Sequence, residues 1–300
     1  MDIAVTAAVL IGTVLLLGSG IARRWFAVDA GRYERTLLWS GAVLGAALIV
    51  VGSLGEITAV VTRILRGRFE LGMVIDYLAS TRHGQAVVLR CVAALPLAIW
   101  AVRPAGRWRG ERFVFGAAGV ALLATISAVS HSGSMGVAGL VTDLAHLIAT
   151  VGWAGALVGL AALPVWSPGP RLRGYVRGVS RLGLAAVIVL AVSGTYMATL
   201  HLYGVEALRA SPYGRALSVK LLLVGIVLIL AGANRWLFVP LLERSDRSAP
   251  LRRSVRIETA LLALVLIATA VVTTREPAHA PPAGEPAHSH GDATPPPSRR

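Results

Sequence analysis

Long apolar runs constrain this chain more than any other feature. Each of eight stretches has about 20 mostly apolar residues, the length at which a helix crosses the hydrocarbon core of a bilayer. We expect helices, because an unpaired strand in lipid leaves its backbone N–H and C=O groups unsatisfied. The predicted spans are residues 3–22, 36–62, 85–102, 113–130, 137–166, 182–200, 216–239 and 257–274.

These spans predict an all-α fold, a polytopic membrane helix bundle with about eight transmembrane helices in residues 1–275. The remaining residues, 276–300, are rich in proline and are predicted to be a disordered tail. The tail contains His279, His288 and His290.

The composition and the motifs exclude several functional classes. Charged residues make up 15% of the chain, against about 25% in ordinary soluble domains, which argues against a soluble enzyme. One cysteine, Cys91, leaves no disulfide framework and no thiolate metal cluster. The sequence has neither a phosphate-binding glycine loop nor a hydrolase motif. We therefore expect no enzyme activity and no nucleotide or nucleic-acid ligand.

The arginines between the spans predict the orientation, because cytoplasmic loops carry an excess of Lys and Arg. The loops after the first, third, fifth and seventh spans are rich in arginine, which predicts that both termini lie outside. Only the loop after the second span departs from this pattern. Arg24 is read as one of these loop charges, Arg235 as a snorkelling side chain, and Pro240 as the end of the seventh helix. The other arginines in the four rich loops are Arg23, Arg32, Arg35, Arg103, Arg107, Arg109, Arg112, Arg171, Arg173, Arg177, Arg181, Arg244, Arg247, Arg252, Arg253 and Arg256.

Several ionisable residues lie inside the predicted spans, where charge is costly and usually functional. Because helix direction alternates, all of them fall towards the outer side of the membrane. Glu56 and Arg90 are predicted to form a buried ion pair, and a conducting role for Glu56 is the alternative. The residues are Glu56, Arg90, Asp143, His146 and Lys220.

A candidate metal site lies on the fifth span. Asp143 and His146 are three residues apart and share one helix face. A carboxylate and an imidazole can hold Cu(II) or Zn(II) or relay protons, and the alternative is that the carboxylate only orients the ring. His131 precedes this helix, and Met197 and His201 share a face at the outer end of the sixth span. Histidine and methionine together are typical of copper sites.

Residues 69–82 are too short and too charged to span the membrane. We interpret them as a helix lying in the outer interface.

Four segments of the chain, taken in order, resemble the copper resistance D (CopD) family of bacterial inner-membrane proteins. The resemblance is strongest over residues 75–240. The segments are STRHGQAVVLR, SHSGSMGVAGLVTDLAHLIATVGWAGALVGL, SRLGLAAVIVLAVSGTY and SPYGRALSVKLLLVGIVLILAGANRWLFVPLL.

The resemblance implies an eight-helix protein that imports copper across the inner membrane, beside a periplasmic partner of the CopC type. It carries functional roles onto His131, Asp143 and His146, and onto His201 and Lys220 as weaker matches. Two alternatives remain open. The first alternative is a non-transporting accessory protein that binds copper for enzyme assembly. The second is a haem-binding electron-transfer protein, whose haem would require paired axial ligands.

Overall fold

A computed structural model describes residues 2–25, 32–64, 70–103, 109–130, 135–163, 169–202, 206–245 and 247–275. This part of the chain is helical and contains no β-strand. The helices are α1 (Ile3–Trp25), α2 (Arg32–Ile64), α3 (Leu71–Ser80), α4 (Arg82–Val102), α5 (Glu111–Ser127), α6 (Gly136–Ala161), α7 (Pro170–His201), α8 (Ala207–Ala210), α9 (Pro212–Ala233), a π-helix (Asn234–Phe238), α10 (Val239–Ser245) and α11 (Ala249–Thr273).

Each of the eight predicted spans corresponds to a helix, which confirms the all-α membrane fold, although the predicted fourth and fifth spans extend beyond the ends of α5 and α6. Seven helical segments within the described residues are long and apolar enough to cross a bilayer. The fourth predicted span, residues 113–130, corresponds to α5, which has 17 residues and is not among these seven. The predicted interfacial segment forms the separate short helix α3, which buries none of its residues.

Helix α1 is at the centre of the bundle and packs against α2, α4, α5, α6 and α11. Glycine allows the closest approach, since a Cβ added at Gly155 of α6 would lie 2.7 Å from the Cα of Gly18 on α1. Gly159 of α6 faces Ala22 in the same way, whereas Gly152 has open space beside it. Two of these three α6 glycines therefore permit close helix packing.

Neighbouring spans run in opposite directions, so polar residues collect at two ends of the bundle. At one end Ser130, just after α5, donates to Asp143 near the start of α6. At the other end Arg24, in the last turn of α1, pairs with Glu111 at the start of α5. We call these the Asp143 end and the Arg24 end.

The sequence predicted that Arg24 is a loop charge, and this prediction is wrong. Arg24 is the most deeply buried arginine of the described residues. Its relative exposure is 1%, and its Nη2 lies 3.0 Å from Glu111 Oε1. The same nitrogen donates to the carbonyl of Trp100 at 2.6 Å, and the guanidinium stands 4.4 Å from the centre of the Phe115 ring. At the Arg24 end, a buried ion pair therefore joins α1 to α5, and the hydrogen bond to Trp100 joins α1 to α4.

The seventh predicted span also ends differently from the prediction. The chain stays helical past Pro240 to Ser245, because a π-helix comes directly before the proline. The wider π turn accommodates a residue that has no N–H and whose ring crowds the preceding turn. Arg235, predicted to snorkel, donates from Nη1 to Ser180 on α7, at 3.0 Å to Oγ and 3.3 Å to the carbonyl.

Helix α9 lies at the periphery of the bundle. Only Tyr213, Gly214 and Val227 of this helix are buried. Large apolar side chains such as Leu222 and Ile229 are exposed on its outer surface. Exposed apolar surface of this extent faces lipid in a membrane protein.

Candidate functional site

The site begins with two residues on α6. Asp143 and His146 are three residues apart on this helix, and both are half-buried. Ser130, in the turns that follow α5, has its Oγ 2.8 Å from Asp143 Oδ2 and 2.9 Å from the carbonyl of Ser127. Its one hydrogen can be donated to either, and the carboxylate is the stronger acceptor. The bond to Asp143 positions Oδ2 and leaves the lone pairs of the other carboxylate oxygen, Oδ1, available to accept from a donor or to bind a cation.

A serine on the facing helix holds His146 in place. The Nδ1 atom of the ring is 2.9 Å from Ser193 Oγ on α7. Ser193 Oγ in turn donates to the carbonyl of Val189 at 2.6 Å. When the single hydroxyl hydrogen of Ser193 is donated to Val189, Ser193 accepts from His146, and the proton of a neutral ring is on Nδ1. The lone pair of Nε2 is then available to a ligand.

Lys220, on α9, completes the charged part of the site. Its ammonium group interacts electrostatically with Asp143 and with His146. Asp143 and Lys220 have opposite charges, so the empty site is close to neutral. A cation that binds between Asp143 and His146 must share the carboxylate with this lysine.

His201 and Met197 are arranged differently from a metal pair. His201 is buried, its Nδ1–H donates to the backbone carbonyl of Met197 at 2.7 Å, and its ring stacks on Tyr213. The contact between the two candidates thus runs through the Met197 main chain. His201 keeps its Nε2 lone pair, and the Met197 side chain is half-buried.

A second polar group lies at the same end of the bundle. Arg90 on α4 donates to Glu56 Oε2 on α2 at 2.9 Å, which is the predicted buried ion pair. Arg90 also donates to the carbonyl of Thr125 at 3.3 Å, and His83 Nε2 lies 3.1 Å from Glu56 Oε1. Tyr77 of α3 lies beside the His83 ring, and burial raises the pKa of its hydroxyl. Glu56 is therefore held between two basic side chains, and the arrangement is that of a structural ion pair.

The donor atoms set a limit on metal binding. The described residues contain no group of three or more His, Cys, Asp and Glu side chains that are placed to hold a metal ion. Asp143 and His146 supply one oxygen and one nitrogen on one face. His131, the third candidate ligand, lies outside the described residues, as do the three histidines of residues 276–300.

Sequence reasoning overlooked two polar residues that contact this site. Ser130 and Ser193 look like ordinary small residues of a membrane helix. Both lie in segments that resemble the CopD family, but the resemblance gave neither of them a role. Their spacing from Asp143 and His146 along the chain is 13 and 47 residues. Only the packing of α5 and α7 against α6 brings these hydroxyls to the site.

A comparison with protein-family models gives one match. The model described as "Copper resistance protein D" (CopD) matches residues 171–272, about a third of the chain. Among curated proteins, and among solved structures, none matches the chain. The matched segment covers α7, α9, the π-helix and nearly all of α11. It includes the later two of the four resembling segments, whereas the resemblance over residues 75–165 lies outside it. Residues 171–272, which supply Ser193, His201 and Lys220 to the site, are thus similar to the copper resistance protein D family.

Proposed function

We propose that the protein carries copper ions inwards across a bacterial inner membrane, and that the ions enter past Asp143 and His146. The family and the helical membrane fold suggest a copper resistance membrane protein that is a transporter or an accessory, not an enzyme. The observation that carries the proposal is the hydrogen bond from His146 to Ser193. It orients an imidazole whose Nε2 is free to bind a metal, beside a carboxylate on the same helix face.

The donor chemistry supports copper as the cargo. Imidazole nitrogen with carboxylate oxygen suits Cu(II), and metal-binding histidines commonly donate the second ring N–H to a fixed acceptor. Ser193 provides that acceptor for His146. With His131, the site would offer two nitrogens and one oxygen.

The charge of Lys220 favours a site through which copper passes over a site that retains copper. A cation between Asp143 and His146 is repelled by the ammonium group and competes with it for the carboxylate. Binding is weaker than in a site without the lysine, and release is faster. A transported ion needs a site that it can leave.

Two further parts of the proposal concern orientation and partners. Both termini and the Asp143 end are assigned to the periplasmic side, because the alternate loops carry the arginine excess. A periplasmic partner of the CopC type is proposed to deliver copper there, and the histidines of residues 276–300 to bind it loosely. Met197 and His201 are proposed as secondary ligands near the entrance.

The test is copper uptake into proteoliposomes that contain the purified protein. Cu(I) and Cu(II) are supplied separately to wild type, His146→Ala and Asp143→Asn. We expect either substitution to reduce the initial rate by more than tenfold. Glu243→Gln, which changes an exposed carboxylate of α10, is the matched control and should transport at the wild-type rate.

The same preparation distinguishes the alternatives. Copper that binds in a one-to-one ratio without entering the vesicles would move the protein to the accessory class. A Soret band in the purified protein would favour the haem-binding alternative. Deletion of residues 276–300 should reduce uptake less than His146→Ala does, and a larger effect would contradict an intramembrane entry site.

A further inference from the structure

A buried carboxylate in α11 has no place in the copper site. Glu258 is 2% exposed and lies in the first half of the helix, towards the Arg24 end. The sequence analysis did not select it, because the predicted span began at residue 257, whereas α11 begins at Ala249. The earlier start moves Glu258 from the edge of a helix to its interior.

Within the described residues, Asn234 is the one hydrogen-bond donor to Glu258. The Nδ2 atom of Asn234 lies 2.5 Å from Glu258 Oε2. Asn234 is the first residue of the π-helix, and single-turn π segments inside α-helices are frequent at functional sites. It is fourteen residues after Lys220 on the same run of helix, a separation of about 21 Å. The two polar sites are therefore at different depths in the bundle.

No cation balances this carboxylate within the described residues. On the π-helix, Arg235 is directed to Ser180. On α1, Arg24 is paired with Glu111. The adjacent Arg23 is half-buried in the last turn of α1.

The remaining charged groups around α11 lie at the Asp143 end of the bundle or on α11 itself. Lys220 of α9 and the pair Asp143 and His146 of α6 belong to the Asp143 end. On α11 itself Arg253 and Arg256 are exposed, while Glu258 is buried. Arg252, in the first turn, is half-buried and six residues before Glu258.

Two more buried polar atoms near Glu258 have no hydrogen-bond partner in the part of the chain that the structure describes. They are Oδ1 of Asn234 and Oγ of Ser254. Both residues are more than nine-tenths buried, and Ser254 is four residues before Glu258, on the same helix face. Buried polar atoms without partners are uncommon in proteins and require an explanation.

We propose that Glu258, together with Asn234 and Ser254, forms an intramembrane binding site for a proton. An ionised carboxylate in a membrane interior without a cation is costly, and a bound proton removes that cost. A side-chain amide suits both states, since its NH₂ donates to a carboxylate and its oxygen accepts from a carboxylic acid. A 180° turn of the Asn234 amide exchanges the two groups and gives Oδ1 its missing partner. The oxygen-only donor set is unsuited to Cu(I), which prefers sulfur.

The proton site rests on the geometry of α11 and the π-helix, and its connection with transport rests on the proposed function. If copper crosses the bundle, a carboxyl group that gains and loses a proton at the other depth provides a means of exchanging protons for copper. The proton site and the copper function therefore require separate tests.

Difference infrared spectroscopy of the purified protein, without copper, tests the site directly. A carboxylic acid shielded from water gives a C=O stretching band at high frequency, which disappears when the proton leaves. We expect a pH titration of the wild type to show one such band. Glu258→Gln should abolish it, and Glu56→Gln, which changes a carboxylate held by Arg90, should leave it unchanged. A band that persists in Glu258→Gln, or no shielded band at any pH in the wild type, would overturn the proposal.

A second variant decides the matter if Glu258→Gln does not fold. Asn234→Ser keeps the carboxyl group and removes the amide, so the band should remain and shift in frequency. An unchanged frequency would overturn the assigned partner and the site with it. Copper uptake by wild-type proteoliposomes is measured in parallel. Wild-type protein that takes up copper but shows no shielded band would refute the proton site alone. Wild-type protein that shows the band but takes up no copper would refute the transport function alone.

Discussion

His146 Nδ1 on α6 and Ser193 Oγ on α7 lie 2.9 Å apart and join the two helices across their interface. The serine donates to its own helix at Val189 and accepts from the ring. One hydroxyl thereby determines both the rotamer of His146 and the ring nitrogen that carries the proton. The ligand properties of α6 depend on a residue of α7.

We expect Ser193→Ala to weaken copper binding about 10-fold to 100-fold, the range found when a partner of a ligating histidine is removed. His146 would remain, but its orientation and tautomer would be free. Isothermal titration of the purified protein measures the affinity. Ser218→Ala, which removes an exposed hydroxyl bonded to its own helix, should leave the affinity unchanged. Equal affinity in Ser193→Ala and wild type would show that Nε2 of His146 is not a ligand.

Removal of the charge of Lys220 should have the opposite effect. Lys220→Met leaves Asp143 without its cationic neighbour, so we expect copper to bind about tenfold more tightly and to leave the site more slowly, since a Coulomb term of about 1.4 kcal/mol disappears. Lys220→Arg retains the charge and should bind within about twofold of wild type. Equilibrium titration gives the affinity, and stopped-flow displacement by a chelator gives the off-rate. Weaker binding by Lys220→Met would mean that the lysine holds Asp143 in its binding position.

The buried pair at the Arg24 end should be important for stability. Glu111→Gln leaves the guanidinium of Arg24 buried without a counter-charge, and breaking such a pair costs about 3–5 kcal/mol. The exposed pair of Arg177 and Glu243, 3.4 Å apart, offers a matched control. We expect Glu243→Gln to cost less than about 1 kcal/mol. Unfolding in mixed detergent micelles measures both free energies, and a similar loss in the two variants would contradict the structural importance of the buried pair.

Glycine packing can be tested on one helix. Gly155→Ala would place a methyl group 2.7 Å from Gly18 Cα, and we expect a loss of about 1–3 kcal/mol from overpacking. Gly152→Ala, three residues earlier in open space, should be neutral or gain up to about 1 kcal/mol from helix propensity. The same unfolding assay compares them. Equal stability of the two variants would exclude a tight contact between α1 and α6.

The apolar runs sufficed to predict the bundle, because the length and hydropathy of a spanning helix are local properties. The shared face of Asp143 and His146 was equally local, since three residues are nearly one turn. Glu56 and Arg90 were predictable as a pair for a different reason, namely that buried charges rarely stand alone. In each case the physical constraint acts on neighbouring residues or on residue type.

Other features depend on packing between distant segments. The positive-inside rule treats Arg24 as a loop charge, yet Glu111, 87 residues later, provides a buried partner for it. Glu258 looked peripheral because hydropathy falls off in the arginine-rich stretch before it, while the helix continues through that stretch. Ser193 carries no signal until α7 lies against α6. The sequence therefore indicates the candidate ligands more readily than the residues that orient or neutralise them.

Helix α9 supplies Lys220 to one polar site and continues into the π-helix that supplies Asn234 to the other, yet it buries only three of its own residues. Most of the α9 surface is therefore available for contact with lipid acyl chains. A helix whose apolar length differs from the local hydrocarbon thickness responds by tilting or by deforming the bilayer. A tilt of α9 moves Lys220 relative to α6 and Asn234 relative to α11 at the same time. A change in bilayer thickness that tilts α9 would therefore alter the geometry of both sites together.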